Sequence, residues 1–170
     1  MIDAKIIIEK YNPNWPTLFA DEQARLIALI GDDIDGTIEH VGSTAVRGLA
    51  AKPIIDIMVG VKSLSAATHL IDILVASGYC YYPHKADVMH WFCKPTPEIR
   101  THHLHLVPYQ SPLWHERITF RDALRADPNL AAQYQTLKYQ LANKFSDQRE
   151  HYTQQKWPFI QRVLTGVEHD

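Results

Sequence analysis

Two kinds of side chain in this sequence have the type and spacing that chemistry requires: one aspartate on an apolar strand, and two histidines placed two residues apart. Asp56 is the lone charge of the run Pro53 to Val61, which is rich in Ile and Val. An ionised carboxylate on such a strand is costly unless it is paired, hydrogen-bonded or bound to a cation. We therefore expect Asp56 either to hold a cation or to pair with a base such as Lys52 or Arg47.

The histidines are concentrated in one part of the chain, because five of the ten lie between His84 and His105. In a strand predicted over His102 to Val107, His103 and His105 share one face. With Asp56 they would form a set of two imidazoles and one carboxylate, which suits Mn²⁺, Fe²⁺, Ni²⁺ or Zn²⁺ better than Mg²⁺. The alternative is a pair of hydrogen-bonded histidines lining a cleft, since a His-x-His spacing alone is a weak ligand signal.

A Gly-Ser turn precedes Asp56 and could hold an anion. Gly42, Ser43 and Thr44 follow a strand predicted over Thr37 to Val41 and open a short helix. The first turn of a helix has unpaired N–H groups and a positive dipole end, so this turn could cradle a phosphate. The alternative is a structural turn with a cap. His40, at the end of the strand, is a further candidate to orient or bind the ligand.

Two basic residues flank this turn. Lys52 and Arg47 lie in the loop between Ser43 and Asp56, where either could meet a phosphate. Arg forks onto phosphate oxygens, whereas Lys acts as a point charge. Solvated surface charge is the alternative for both residues.

The C-terminal third adds a second group of basic side chains. Tyr152 and Lys156 are four residues apart, so they would meet on one face of a helix. A row of arginines also recurs every fourth residue, at Arg117, Arg121 and Arg125. Such a row is typical of a solvated helix face, and it could also steer an anionic ligand. We expect Trp157 and Phe159 to belong to the core, because apolar residues continue the same patch.

The periodicity predicts which elements position these residues. Strands are predicted over Thr37–Val41, Pro53–Val61, Tyr79–Tyr82, Val88–Lys94 and His102–Val107. Helices are predicted from Asn14-Trp15-Pro16 to Gly31, from Ser63 to Gly78, from Ser111-Pro112, from Asp127-Pro128, and over Arg149–Leu164. The result is one α+β domain over residues 1–170: a mixed β-sheet of about five strands with flanking helices and a helical C-terminal third.

Composition narrows the functional class. The chain has 170 residues and a formal charge of -2, from 17 Lys and Arg against 19 Asp and Glu, so we expect no nucleic acid as the main partner. No apolar run approaches the roughly 18 residues of a membrane span, and we expect no membrane partner. The chain opens with no signal-peptide pattern, and its two cysteines, Cys80 and Cys93, are too far apart for a CxxC pair. We therefore expect free thiols and a cytoplasmic location.

Several runs of the sequence, spread over nearly the whole chain, resemble the GrpB family. The resemblance is carried by the runs Glu39–Val46, Gly48–Ile57, Arg100–His105, Phe120–Asp122 and Tyr134–Lys138. It implies a nucleotidyltransferase-like core, in which the Gly42-Ser43 turn holds a nucleotide triphosphate and strand carboxylates hold a divalent metal. It also implies that Tyr152 and Lys156 belong to the family pattern. Arg47 departs from that pattern, which has proline at this position.

The metal site implied by this resemblance lacks one ligand in the present sequence. Two-metal chemistry needs carboxylates at positions i and i+2, because same-face neighbours can bridge two ions about 3.5–4 Å apart. Here the second position is Met58, and a thioether is a poor ligand for Mg²⁺.

Three functions therefore remain open. The first is metal-dependent nucleotidyl transfer, with Asp56 and His105 catalytic and Mg²⁺, Mn²⁺ or Zn²⁺ bound by Asp56, His103 and His105. The second is a non-catalytic module that binds a nucleotide or another phosphorylated small molecule. The third is a metal-dependent hydrolase that uses the histidine face. In each the partner is a small molecule, and the sequence does not indicate the oligomeric state.

Overall fold

Five strands form one mixed sheet in the computed structural model, which describes residues 5–168. They are β1 (Ile38–Val41), β2 (Ile55–Val61), β3 (Cys80–Tyr82), β4 (His90–Pro95) and β5 (Arg100–Pro108). Their order across the sheet is β1-β2-β5-β4-β3. The central strands β2 and β5 are parallel, and every other neighbouring pair is antiparallel. The predicted mixed sheet of about five strands is thereby confirmed.

The described residues also form five α-helices and three short 3₁₀ turns. The helices are α1 (Trp15–Ile30), α2 (Leu70–Ala76), α3 (Pro112–Ala126), α4 (Pro128–Lys144) and α5 (Arg149–Glu168). The 3₁₀ turns span residues 31–33, 43–45 and 65–67. Within residues 5–168, no helix has both the length and the apolar character needed to cross a membrane.

Two C-terminal helices begin at the caps that the sequence predicts. The Ser111 side chain accepts a hydrogen bond from the backbone N–H of Trp114, and Asp127 accepts hydrogen bonds from the N–H groups of Asn129 and Leu130. These contacts satisfy donors that the first turn of a helix leaves unpaired.

Three predicted helices differ in detail. Asn14 forms no side-chain cap for α1. The helix predicted from Ser63 is divided, because the Ser63 hydroxyl accepts from the N–H of Ala66 in a 3₁₀ turn and α2 begins only at Leu70. Helix α5 continues past Pro158 to Glu168, beyond its predicted end.

The two faces of the sheet have different partners. Ile55, Ile57 and Val59 of β2 join a core with Leu26 of α1 and Leu70 of α2. The residues between them point the other way, as the alternation of side chains along a strand predicts. The chain therefore has one mainly apolar interface on the α1 and α2 side, and a second face that carries Asp56.

The second face is apolar at one end. Met58 is fully buried there and packs against Val41, Met89, Val107 and Trp114 of α3. The C-terminal helices have a core of their own, in which Phe159 is buried as predicted, whereas Trp157 is 44% exposed and so does not belong to it. Cys80 and Cys93 are free thiols, also as predicted.

Candidate functional site

The pairing of β2 with β5 brings Asp56 and the two histidines together. Asp56 lies directly opposite His103, and Met58 lies opposite His105. One carboxylate oxygen, Asp56 Oδ1, is 3.2 Å from His103 Nδ1 and 3.5 Å from His105 Nε2. Burial alone would raise the pKa of Asp56, but the hydrogen bonds from both imidazoles outweigh burial and hold that pKa well below its usual value. Asp56 is therefore ionised.

Both histidines are neutral in this arrangement. Burial lowers the pKa of His105 to about 4, with a further contribution from the charge of Arg117, and burial also lowers the pKa of His103. The outer nitrogens, His103 Nε2 and His105 Nδ1, have no hydrogen-bond partner among the described residues. Leaving a buried N–H unpaired is costly, so the ring protons belong on the nitrogens that face Asp56. Each imidazole thus donates to the one carboxylate.

Gly42 lies against the same carboxylate. Its φ of +73° is in the region that favours glycine, and a Cβ at this position would lie 2.5 Å from Asp56 Oδ2. The residues after it form only a one-turn 3₁₀ helix, Ser43–Ala45, so the predicted helix start is very short. Ser43 interacts with the buried hydroxyl of Tyr134 on α4. The structure therefore brings the Gly-Ser turn and Asp56 together, as the sequence predicts.

The side chains of His40 and Thr44 do not lie beside the Asp56 carboxylate. His40 pairs with Ile57 across the sheet, which puts its side chain on the opposite face from Asp56, where it stacks on Phe19 with ring centroids 4.8 Å apart. Thr44 Oγ1 is 2.9 Å from His40 Nε2 and donates to the carbonyl of Ile54 at 3.1 Å. Burial lowers the pKa of His40 to about 4, so it is neutral. The expectation that His40 shares the anion site is thus wrong, because strand alternation turns it away.

Lys52 and Lys156 meet at the buried ring of Tyr152. Their Nζ atoms are 5.0 and 4.8 Å from its centroid, which confirms the predicted contact between Tyr152 and Lys156. Burial and the charge of Lys156 lower the pKa of Lys52 to about 7. Burial lowers the pKa of Lys156 to about 8, Asp56 acts to raise it, and Arg117 lowers it further. Two desolvated ammonium groups therefore converge near a single carboxylate.

The arginine row on α3 is largely engaged with the protein. Arg121 donates to Glu39 Oε2 at 2.9 Å and to the carbonyl of His40 at 3.1 Å. Arg125 donates to the carbonyl of Ala45 at 2.8 and 3.0 Å. The prediction of a solvated stripe is thus wrong for Arg121, which is 8% exposed.

Arg117, one turn before Arg121, differs from the other two arginines of the row. It forms no hydrogen bond or ion pair with the described residues, while burial lowers its pKa and the charge of Asp56 raises it. The sequence contained the signal for this residue in the fourfold spacing of the row. It could not indicate which of the three guanidinium groups would turn toward Asp56.

Two side chains of α4 hold the loop that carries Lys52, and sequence reasoning did not predict these contacts. Gln135 Oε1 accepts from the N–H of Ala50 at 2.8 Å, and Lys138 Nζ donates to the carbonyl of the same residue. The N–H and the C=O of Ala50 are thereby both hydrogen-bonded to one helix. Arg47, earlier in this loop, is exposed and forms no hydrogen bond or ion pair with residues 5–168.

The ligand atoms of Asp56, His103 and His105 all lie within 4.8 Å of one another, so the three side chains would hold one divalent ion once it displaces the two ring protons that face Asp56. The oxygen-to-nitrogen separations of 3.2 and 3.5 Å are close to the roughly 3.3 Å between two ligands of tetrahedral zinc with bonds of about 2.0–2.1 Å. A pair of Mg²⁺ ions does not fit. Met58 belongs to the core, and no second carboxylate joins this group within the described part of the chain.

Comparison with known proteins gives a consistent family. The model of the family described as GrpB protein matches residues 5–165. The glutamate-rich protein GrpB of Alkalihalophilus pseudofirmus is 37% identical, over 96% of each chain. The UPF0157 protein YqkA of Bacillus subtilis is 35% identical over 92% of this chain, which spans only 45% of that relative.

Solved structures agree in fold. The crystal structure of conserved protein GrpB from Enterococcus faecalis matches with a TM-score of 0.83 and 33% identity, over 92% of this chain and 94% of that one. The Cid1 poly(U) polymerase bound to MgGTP matches with a TM-score of 0.55 and 18% identity, over 80% of this chain and 44% of that one. At that identity the likeness is one of fold alone. With a nucleotidyltransferase-like fold and a family match over most of its length, the chain belongs to the GrpB protein family.

Proposed function

We propose that the chain binds a phosphorylated small molecule, with a nucleotide as the ligand class, between Asp56 and the helices α3 and α5. The observation that carries this proposal is that Lys52 and Lys156 lie 5.0 and 4.8 Å from the Tyr152 ring centroid, while the charge of Asp56 acts on both lysines and on Arg117. Taking several like charges out of water is costly unless counter-charge is supplied. A phosphate chain supplies that charge, because it carries several negative oxygens.

The ligand contacts follow from where these side chains lie. Gly42 and Ser43 present backbone N–H groups beside Asp56, where a phosphate oxygen can accept from them. Lys52 and Lys156 contribute point charges, and Arg117 contributes a forked set of donors. The MgGTP bound to the Cid1 polymerase, which shares this fold, supports a nucleotide as the class.

For catalysis, we propose metal-dependent nucleotidyl transfer. Asp56, His103 and His105 would hold one divalent ion, either Mn²⁺ or Zn²⁺ by the chemistry of the donor set or the Mg²⁺ that the family resemblance implies. Such an ion would supply Lewis-acid polarisation of a phosphoryl oxygen. Without an ion, Asp56 orients both imidazoles through its hydrogen bonds to His103 Nδ1 and His105 Nε2, and an ion held by these three side chains would take the place of the two ring protons. Lys52 and Lys156 offset the negative charge that develops on the leaving phosphate.

The burial of Met58 favours a second candidate, a binding module without transferase activity. The residue that would carry the second metal carboxylate is 0% exposed and lies in an apolar cluster. Such a module keeps the phosphate contacts, since they come from Lys52, Lys156 and the Gly-Ser turn. It needs no ion for binding.

A titration with ATP, with and without Mn²⁺, tests the proposed binding by isothermal calorimetry. We expect wild-type protein to bind, and Lys156→Ala to weaken binding at least tenfold, since charged hydrogen bonds contribute about 1.5–3 kcal/mol. Arg162→Ala, on the same helix, is the matched control and should bind as wild type does. Equal affinity in all three proteins would place the ligand elsewhere.

Pyrophosphate release separates the two candidates. Wild-type protein incubated with nucleoside triphosphates and Mg²⁺ or Mn²⁺ should release pyrophosphate, and Asp56→Asn should not. Asp56→Asn should also lose any rise in melting temperature that Mn²⁺ or Zn²⁺ gives the wild type, because a ligand stabilises only a protein that binds it. Binding of ATP without release, indifferent to the ion, would leave the non-catalytic module.

A further inference from the structure

Three aromatic rings extend the candidate site toward one edge of the sheet. Trp91 of β4 pairs with His105, and Tyr82 of β3 pairs with Trp91, so all three side chains share the face that carries Asp56. The Trp91 ring lies 5.2 Å from His103, 6.3 Å from Tyr82 and 6.0 Å from His84, centroid to centroid. The aromatic surface is thus continuous with the imidazoles that contact Asp56.

The side chains of this aromatic surface are exposed to solvent to a degree that core residues are not. Tyr82 is 39% exposed, His84 is exposed, and Trp91 is only partly buried. The guanidinium of Arg100 lies against the Trp91 ring at 5.2 Å and donates to the carbonyl of Pro97. Indole, phenol, imidazole and guanidinium planes are the groups on which nucleobases stack.

The distance from this surface to the phosphate contacts suits one nucleotide. Strand β4 is separated from β2 by one strand, and Trp91 is in register with Met58, two residues from Asp56, so Trp91 and Asp56 lie about 12 Å apart across the sheet. Lys52 and Lys156 lie at the Tyr152 ring and interact with Asp56, whereas the aromatic groups lie on the β3 and β4 side together with the guanidinium of Arg100. A ligand with an anionic end and a flat, apolar end matches this separation.

We infer that Trp91, Tyr82 and His84 form a stacking surface for the base of the nucleotide whose phosphates lie at Asp56, Lys52 and Lys156. The inference rests on the proposed function and adds the position of the base. Stacking uses the π-face that every base has, so the contact gives affinity with little discrimination among bases.

Calorimetric titration with two probes, ATP and inorganic tripolyphosphate, tests this inference. Wild-type protein should bind ATP more tightly than tripolyphosphate. Trp91→Ala should weaken ATP binding by about 5- to 100-fold, as loss of one stacking contact does, and leave tripolyphosphate binding unchanged. Tyr82→Ala, at a partly exposed residue that should tolerate truncation, should act in the same direction, whereas Trp91→Phe should retain most of the affinity.

Trp157→Ala provides the matched control, because Trp157 is also partly exposed but lies on α5. It should bind both probes as wild type does. If Trp91→Ala and Tyr82→Ala change neither affinity, or change both equally, the stacking surface is refuted while the phosphate site stands. If neither probe binds wild-type protein, the proposed function fails and the inference fails with it.

Discussion

Binding of a dianion at Lys52 and Lys156 should take up protons from solution. Without ligand, the pKa of Lys52 is lowered to about 7 and that of Lys156 to about 8, in each case mainly by burial. A bound anion favours the charged form of both, so each pKa should return toward the ordinary lysine value of about 10.4. At pH 8, about nine-tenths of Lys52 and about half of Lys156 are neutral, and binding should therefore take up about 1.4 protons.

The same linkage sets how affinity changes with pH. A ligand that requires both ammonium groups loses affinity as pH rises through each free-protein pKa. Between pH 7 and pH 9 the two lysines together should weaken binding on the order of several hundredfold. Sulfate is the best probe, because its own charge does not change in this range.

Calorimetry in two buffers with different ionisation enthalpies measures the proton uptake directly. Lys52→Met should reduce the uptake at pH 8 to at most about 0.5 proton, which Lys156 still contributes. Arg162→Ala should leave it unchanged. A proton uptake near zero at pH 8, with sulfate affinity constant from pH 7 to pH 9, would show that these lysines do not face the anion. It would refute anion binding at Lys52 and Lys156.

Three further variants test how the site and the fold are built. Gly42→Ala should destabilise the protein and abolish anion binding, because its Cβ would lie 2.5 Å from Asp56 Oδ2. Gly48→Ala is the control: Gly48 has φ +83° and open space around it, so this variant should cost only about 1–2 kcal/mol of backbone strain. Urea unfolding and sulfate titration compare the two variants. Glu22→Gln should cost about 3–5 kcal/mol at pH 7, because Glu22 is buried and accepts from Lys94 at 2.6 Å. Burial raises the pKa of Glu22, but the hydrogen bonds from Lys94 and Tyr79 outweigh burial, and the net pKa is lowered. Wild type should therefore lose this stabilisation as pH falls below about 4.5, whereas the variant should show no such loss.

The strands, and the face on which each of their side chains lies, could be predicted from the sequence. The alternation around Asp56 predicts that Ile55, Ile57 and Val59 share one face, and that Met58 shares the other with Asp56; the structure confirms both. Proline and a short polar residue likewise predict the starts of α3 and α4. These features depend on contacts within a few residues, so one sequence contains the information for them.

The sequence alone did not predict which strands and side chains are neighbours in the fold. The site needs β2 beside β5, a parallel pairing between strands far apart in the chain, and periodicity gives the face of a strand without its partner. His40 shows the consequence: its position at a strand end predicts a ligand contact, but pairing with Ile57 turns it to the other face. Arg121 shows it again, since its partner Glu39 is 82 residues away in the chain.

The balance of charge in the site indicates what the ligand must supply. A two-ion nucleotidyl transfer site is acidic, because carboxylates compensate the metal charge and the substrate arrives with the ions. Here one carboxylate already accepts from two imidazole donors, while Lys52, Lys156 and Arg117 add three positive charges, which face Asp56 and, for Arg117, also Glu116. The anion should therefore bind first and lower the cost of placing an ion at Asp56, so Mn²⁺ affinity should be higher with tripolyphosphate bound than without it.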